Sequence, residues 1–323
     1  MVYFSWEAQM LKRLVPVLLL GALVSVHAEQ EVKADSVNYE KPNEWKLFAS
    51  NAPVKAFVLA KDMLWYATDE MVFAQPMKSK NYQQYSKLGT IPSAGVKGMA
   101  QDGSGKVWFA TPAGVAVRSG NDFTSYTSEN GLPDNNATCV ATRGGDVWVG
   151  TSNGAAQFTG GAWKVYTTAQ GLVSNNVQTA VIDNKGTVWL GTDKGISSFD
   201  GTKWTTHNMK SGLSWNSTHA LAVDSKNKIW AAVGEKDVNC YTGTEWKTYL
   251  EIQPGITSIM DDTRRTWFGT ETGLLRFNGE DWVTDPNAIG IPAAQVFQMN
   301  MDASGNLWFA MERGVLCLSN PYR

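Results

Sequence analysis

Residues 187–204 read TVWLGTDKGISSFDGTKW. Short apolar runs alternate here with turns at Asp193–Gly195 and Asp200–Gly201. Taken alone, the stretch resembles a glycine-rich binding loop. Its neighbours identify it as a building unit instead. The strings LWYAT, VWFAT, VWVGT, VWLGT, IWAAV, TWFGT and LWFAM recur along the chain, centred on Trp65, Trp108, Trp148, Trp189, Trp230, Trp267 and Trp308. Their spacings are 43, 40, 41, 41, 37 and 41 residues. A period near forty is the signature of a repeat architecture.

Each copy has the same internal order. An apolar strand (VQTAVID) is followed by an Asp or Gly turn, then the Trp strand (TVWLGT). A short polar loop ending in Gly leads to a third strand (ISSF). A turn such as DGTK then leads to a fourth strand that starts with an aromatic. Such a unit is an antiparallel meander. Four-stranded units arranged radially make a β-propeller, and burial on both faces by neighbouring blades explains strands without polar alternation. The outer-strand aromatics begin at Trp45, ahead of the first Trp strand, while the last copy ends after its third strand. The N-terminal outer strand is therefore expected to complete the C-terminal blade. The predicted fold is all-β, a seven-bladed propeller latched by its termini.

The segments DNKGTVWLGTDKGISSFDG and DDTRRTWFGTETGLLRFNG resemble the two-component regulator propeller repeat. The resemblance runs from about Trp45 to Asn320; DASGNLWFAMERGVLCLS and DSKNKIWAAVGEKDVNCYTG follow it loosely. It implies an exported sensing propeller, often for oligosaccharides. The chain up to Arg323 shows no kinase pattern and no later apolar span, so the expectation is a free-standing binding protein or adaptor.

The N-terminus supports export. Lys12 and Arg13 precede an apolar run from Leu14 to Val26, which ends in Val26-His27-Ala28. This reads as a signal peptide over residues 1–28, followed by a polar leader (29–42) and one propeller domain (43–323). The run is shorter than the ~20 residues that span a bilayer, so no integral membrane segment is expected after cleavage. The location is periplasmic or secreted. A net charge of −2 argues against nucleic acid, whose backbone needs a basic surface.

Chemistry-bearing motifs are sparse. Cys139, Cys240 and Cys317 sit in separate apolar runs and read as buried free thiols. After the leader only His207 and His219 remain, without a partner at zinc-like spacing, so no metal or other cofactor is expected. The Asp-containing turns at Asp102, Asp183, Asp224 and Asp302 read as hairpin caps. The seven repeat tryptophans read as structural wedges.

Binding residues are expected where inter-blade links and the loops after the Trp strands converge on one face. The loops offer Asp193, Lys194, Glu235, Lys236, Glu271 and Arg313; the links offer Asn136, Asn176, Trp215, Asn216 and His219. Trp215 has no counterpart in other copies, and Glu235-Lys236-Asp237 breaks the Thr-x-x-Gly loop rule. Such departures from a local rule favour functional positions. The partner is a protein or a polar small ligand such as an oligosaccharide. Two alternatives stand beside this binding module. One is a metal-assisted lyase or hydrolase at the channel mouth using His219 with Glu235 or Glu271. The other is a scaffold in an envelope complex.

Overall fold

The computed structural model describes residues 45–49, 52–249, 255–284 and 293–319. The signal and leader expectations fall on residues outside these. Among the described residues, no helix is long and apolar enough to cross a membrane.

Seven four-stranded antiparallel sheets form the blades. The inner strands, in order, are Ala56–Ala60, Gly98–Gln101, Ala137–Arg143, Val177–Ile182, Thr218–Val223, Ile256–Asp261 and Val296–Met301. Each touches the next, and the last touches the first, so they ring a central channel. In blades 1 to 6 the chain then runs outward, strand by strand, to the rim. Blade 7 is completed differently. Its fourth strand is Trp45–Ala49, paired in register with Gly314–Leu318 from Trp45 opposite Leu318 to Ala49 opposite Gly314. Phe48 is buried there and its ring lies 5.2 Å from that of Trp308. A second closure acts at the channel, where the Phe57 N–H of blade 1 donates to Gln298 Oε1 of blade 7 at 2.8 Å.

The Trp strands VWFAT, VWLGT and TWFGT are buried at every position. All seven repeat tryptophans are buried. Burial of about 150–250 Å² per indole contributes roughly 4–6 kcal/mol gross at about 25 cal/mol/Å². The packing repeats as well. Trp148 stacks on Tyr166 of its own blade at 5.0 Å and meets Trp204 of the next blade edge-on at 6.1 Å.

The Asp turns do more than cap hairpins. Asp183 Oδ1 accepts the N–H groups of Lys185 (2.8 Å) and Thr187 (3.0 Å), while Oδ2 accepts the Trp189 indole N–H at 3.2 Å. The same indole bond joins Asp102 to Trp108 (2.8 Å), Asp224 to Trp230 (3.1 Å), Asp262 to Trp267 (2.6 Å) and Asp302 to Trp308 (3.0 Å). One carboxylate thus satisfies a turn and a buried donor together. Burial alone would raise the Asp102 carboxyl. Bonds from Ser104, Trp108 and the Lys106 and Ser104 backbone hold it below the ordinary carboxylate range instead.

His207 occupies the place that Tyr126, Tyr166 and Tyr249 fill in other blades, and it stacks on Trp189 at 5.0 Å. The Trp246 indole donates to its Nδ1 at 3.2 Å, so Nε2 carries the proton and donates to Ser198 Oγ at 3.0 Å. Burial pushes the imidazole down to about 4. The unfolded side chain protonates near pH 6.5, so this contribution is intact above that pH and is lost as pH falls toward 4. The loss approaches about 3 kcal/mol. His207→Tyr should therefore narrow the difference in unfolding free energy between pH 7 and pH 4.5 by about 2–3 kcal/mol, measured by urea melts at both values. An unchanged difference would show that His207 is already charged in the fold.

Candidate functional site

The links between blades and the loops after the Trp strands meet on one face. Polar clamps join them. In the link before blade 3, Asp134 accepts from Ser152 Oγ at 2.9 Å; before blade 4, Ser174 Oγ donates to Asp193 at 2.5 Å. The links themselves are held by capped turns. Asn135, Asn175 and Asn216 each accept a backbone N–H seven residues back, from Ser128, Thr168 and Met209. Asn216 is therefore one of three equivalent loop braces.

Blade 5 replaces the clamp. Trp215 stands at the position of Asp134 and Ser174, and its ring lies over Gly234 in the loop after the Trp strand. A Cβ on Gly234 would meet Trp215 Cγ and Cδ1 at 2.8 Å, and φ there is +60°. Only glycine suits both conditions without strain. The Gly234 N–H donates to Ser217 O at 2.8 Å, tying the loop to the link. Trp215 nevertheless remains 55% exposed. The two departures from the repeat rule are thus one structural change: a tryptophan in the link needs a glycine beneath it. Glu235 and Lys236 are exposed beside it, while Asp237 begins the third strand and is buried. Glu235 O comes close to Gly255, at the entry to blade 6.

Inward of this patch, five inner strands carry a bulge at the same place. The bulged residues are Thr138, Gln178, His219, Thr257 and Phe297. Three reach across to the next blade's carbonyl: Thr138 Oγ1 to Val177 O (2.7 Å), His219 Nε2 to Ile256 O (3.0 Å) and Thr257 Oγ1 to Val296 O (2.5 Å). A bulge re-aims one side chain without ending the strand. Lys55 and Lys97 hold the corresponding places in blades 1 and 2. Their N–H groups bond Ala67 O and Ala110 O, each two residues past the repeat Trp. Lys97 Nζ donates to Asn136 Oδ1 at 2.8 Å, and Lys55 Nζ lies 3.9 Å from the Phe297 ring centroid. Desolvation by the channel wall lowers the His219 imidazole, and its bond to Ile256 O partly offsets this. His219 is therefore an inter-blade tie between blades 5 and 6.

The remaining predicted residues are dispersed around the same face. Asn136 and Asn176 are half-buried in the links to blades 3 and 4, and Lys194 is exposed beside the clamped Asp193. Glu271 is exposed on blade 6. Arg313 lies in blade 7, beside a groove shared with Leu47 and Leu316 at the closing strand. The structure gathers Trp215, Asn216, His219, Glu235 and Lys236 on the blade 5 sector and leaves the others apart. The bulge ring was not anticipated from the residues, because it follows from strand register. The three cysteines are free; burial pushes Cys139 up to about 11 and Cys240 and Cys317 up to about 12, far from thiolate reactivity.

These features define a seven-bladed β-propeller of four-stranded antiparallel blades, with the inter-blade links and the loops after the Trp strands on one face. More narrowly, residues 171–194 match the family model described as the two component regulator propeller. No curated protein matches it in sequence. Among solved structures, one similar fold is the extracellular domain of BT3049 from B. thetaiotaomicron, assigned as a hybrid two component system. It has 18% identity and a TM-score of 0.66, over 84% of this chain and 40% of that one. Virginiamycin B lyase from Staphylococcus aureus, with quinupristin, has 15% identity and a TM-score of 0.69 over 85% and 99%. YCF48 bound to D1 peptide has 12% identity and a TM-score of 0.69 over 90% and 99%. At these identities the likeness is one of fold. The chain spans less than half the length of the BT3049 chain.

Proposed function

We propose that this chain is an exported, non-catalytic binding propeller that holds a polar ligand, such as an oligosaccharide or a polar protein segment, on the blade 5 sector of its link-and-loop face. The N-terminal pattern of residues 1–28 and the extracellular setting of BT3049 support export. The observation that carries the binding reading is Trp215. It is a large aromatic left 55% exposed at the place where sibling blades have a small polar clamp, and a glycine supports it. An indole face held rigid before the ligand arrives binds at low entropic cost. Glu235 and Lys236 beside it offer hydrogen-bonding groups of both signs, suited to a neutral or weakly charged partner.

Calorimetric titration of an oligosaccharide panel against the propeller tests this. Trp215→Ala should weaken the ligand that binds by at least tenfold, with little change in Tm because the side chain is largely exposed. Binding that survives Trp215→Ala unchanged would place the ligand elsewhere. A ligand consumed in a chelator-sensitive way that His219→Ala abolishes would replace the binding reading with the lyase one.

A further inference from the structure

The notch that blade 4 closes on the link-and-loop face is polar throughout. Ser174 Oγ donates to Asp193, Ser197 Oγ accepts the Val173 N–H at 2.9 Å, and Thr192 Oγ1 donates to Gly195 O at 2.8 Å. Strand register places Ala293, Leu316 and Met311 at the positions of Ser174, Ser197 and Thr192 in blade 7, and Leu47 of the closing strand where blade 4 has Thr206. Four polar residues of one notch have thus become apolar together. In blade 7 the notch is a cavity of roughly 380 Å³ whose lining includes these four side chains, with the exposed Glu312 and Arg313 beside them. Leu47 is 55% exposed, so the apolar wall continues to the surface.

Blade 5 presents the opposite shape at the same level. Trp215 stands three residues before Thr218, as Ala293 stands three before Val296, and each of those strand starts pairs with the end of its own Trp strand. The two positions are therefore equivalent in the repeat, on one face and at a similar distance from the channel. At blade 5 the position carries the part-exposed indole on Gly234; at blade 7 it carries a methyl group at a cavity. Charge matches shape. Glu235 and Lys236 flank the indole, Glu312 and Arg313 flank the cavity, and all four are exposed.

We propose that two copies of this propeller pair face to face about a two-fold axis along the radius of blade 6, each copy seating its Trp215 in the other's blade 7 cavity. Blades 5 and 7 flank blade 6 in the ring. Turning one copy over about that radius lays its blade 5 on its partner's blade 7 and its blade 7 on its partner's blade 5. Both knobs then meet both holes at once, which is the self-complementary interface of a two-fold dimer. The same rotation sets Glu235 toward Arg313 and Lys236 toward Glu312, and unlike charges at the rim fix this register against others. Removing an exposed indole and Leu47 from water drives the association. The interface is small, so pairing is weak and reversible, and a ligand that takes Trp215 competes with it. The pairing does not rest on the ligand reading of Trp215, and its failure leaves that reading untouched.

Sedimentation velocity of the propeller chain from Glu29, without ligand and between about 1 and 200 µM, tests it. The chain should pass from monomer to dimer and go no further, since a two-fold interface closes on itself. Trp215→Ala and Ala293→Trp should each weaken pairing about tenfold or more, the first by removing the knob and the second by filling the hole. Mixed together, these two variants should form a heterodimer more readily than either forms a homodimer, because a knob and a hole that fit survive only in the mixture. Arg313→Glu should weaken pairing about threefold or more, and Glu235→Arg in the same chain should restore it. Should Ala293→Trp fail to fold, Leu47→Thr, at an exposed position, should weaken pairing about threefold or more. A monomer throughout the range, open-ended growth with concentration, unchanged pairing in folded Trp215→Ala, or no rescue of Arg313→Glu by Glu235→Arg overturns the assignment.

Discussion

Deleting residues 29–50 from a chain that begins at Glu29 should lower the melting temperature by at least about 10 °C. The deletion removes Trp45–Ala49, the outer strand of blade 7. Blade 7 then ends on Gly314–Leu318, whose ladder partners disappear and whose edge opens to solvent. Phe48 is lost from a cluster that also contains Trp308, Phe57 and Val315. Loss of one fully buried phenylalanine costs about 3–5 kcal/mol, and the broken ladder adds to this. For a domain of this size, each kcal/mol shifts the midpoint by about 2–4 °C. Phe48→Ala alone should reproduce about half the drop. Differential scanning calorimetry of the three chains checks both numbers, and a truncated chain that melts with its parent would disprove the latch.

The second large effect is at the aspartate that holds the repeat tryptophan. Asp183→Ala should destabilise by about 3 kcal/mol, read from urea unfolding. It strands the Trp189 indole N–H and the N–H groups of Lys185 and Thr187 beside a side chain that was 4% exposed. Asp183→Asn keeps one acceptor oxygen and should recover part of the loss. Asp200→Ala, in the exposed turn of the same blade, should do much less, because the N–H groups of Thr202 and Lys203 that it caps can turn to water. Equal losses at Asp183 and Asp200 would mean that the indole bond contributes nothing beyond turn capping.

Much of this molecule is legible without coordinates, and the reason is local. Every sheet pairs strands that follow one another in the chain, except at the latch, so the order of apolar runs and turns gives the order of strands. The glycine six residues after the repeat Trp shows why a turn can be read so directly. At Gly195, φ is +134°, and a Cβ would press on His207 O. A position that admits one residue type leaves its mark at the same place in copy after copy. The aspartate before the Trp was visible too, as a turn former; its bond to the indole was not read from the residues.

The candidate face was legible in part. Trp215 and the Glu235–Lys236 loop stood out as departures from the repeat, and the structure joins them through Gly234. Asn216 also braces its link, as Asn135 and Asn175 brace theirs, which the residues alone did not show. The ring of Thr138, Gln178, His219, Thr257 and Phe297 left no sequence signal, since its members share a position but no chemistry.

The period of about forty residues determined the number of blades, their strand order and the closure by an N-terminal strand, because those depend on contacts between neighbours in the chain and on a count. The register between blades was decided only in three dimensions. Packing of one sheet on the next brings bulged side chains onto the neighbouring blade's carbonyls, and the return of the blade 5 Trp strand beside its link seats Trp215 on Gly234. Such contacts join residues through the spacing of sheets rather than the spacing of sequence, and no periodicity along the chain records them.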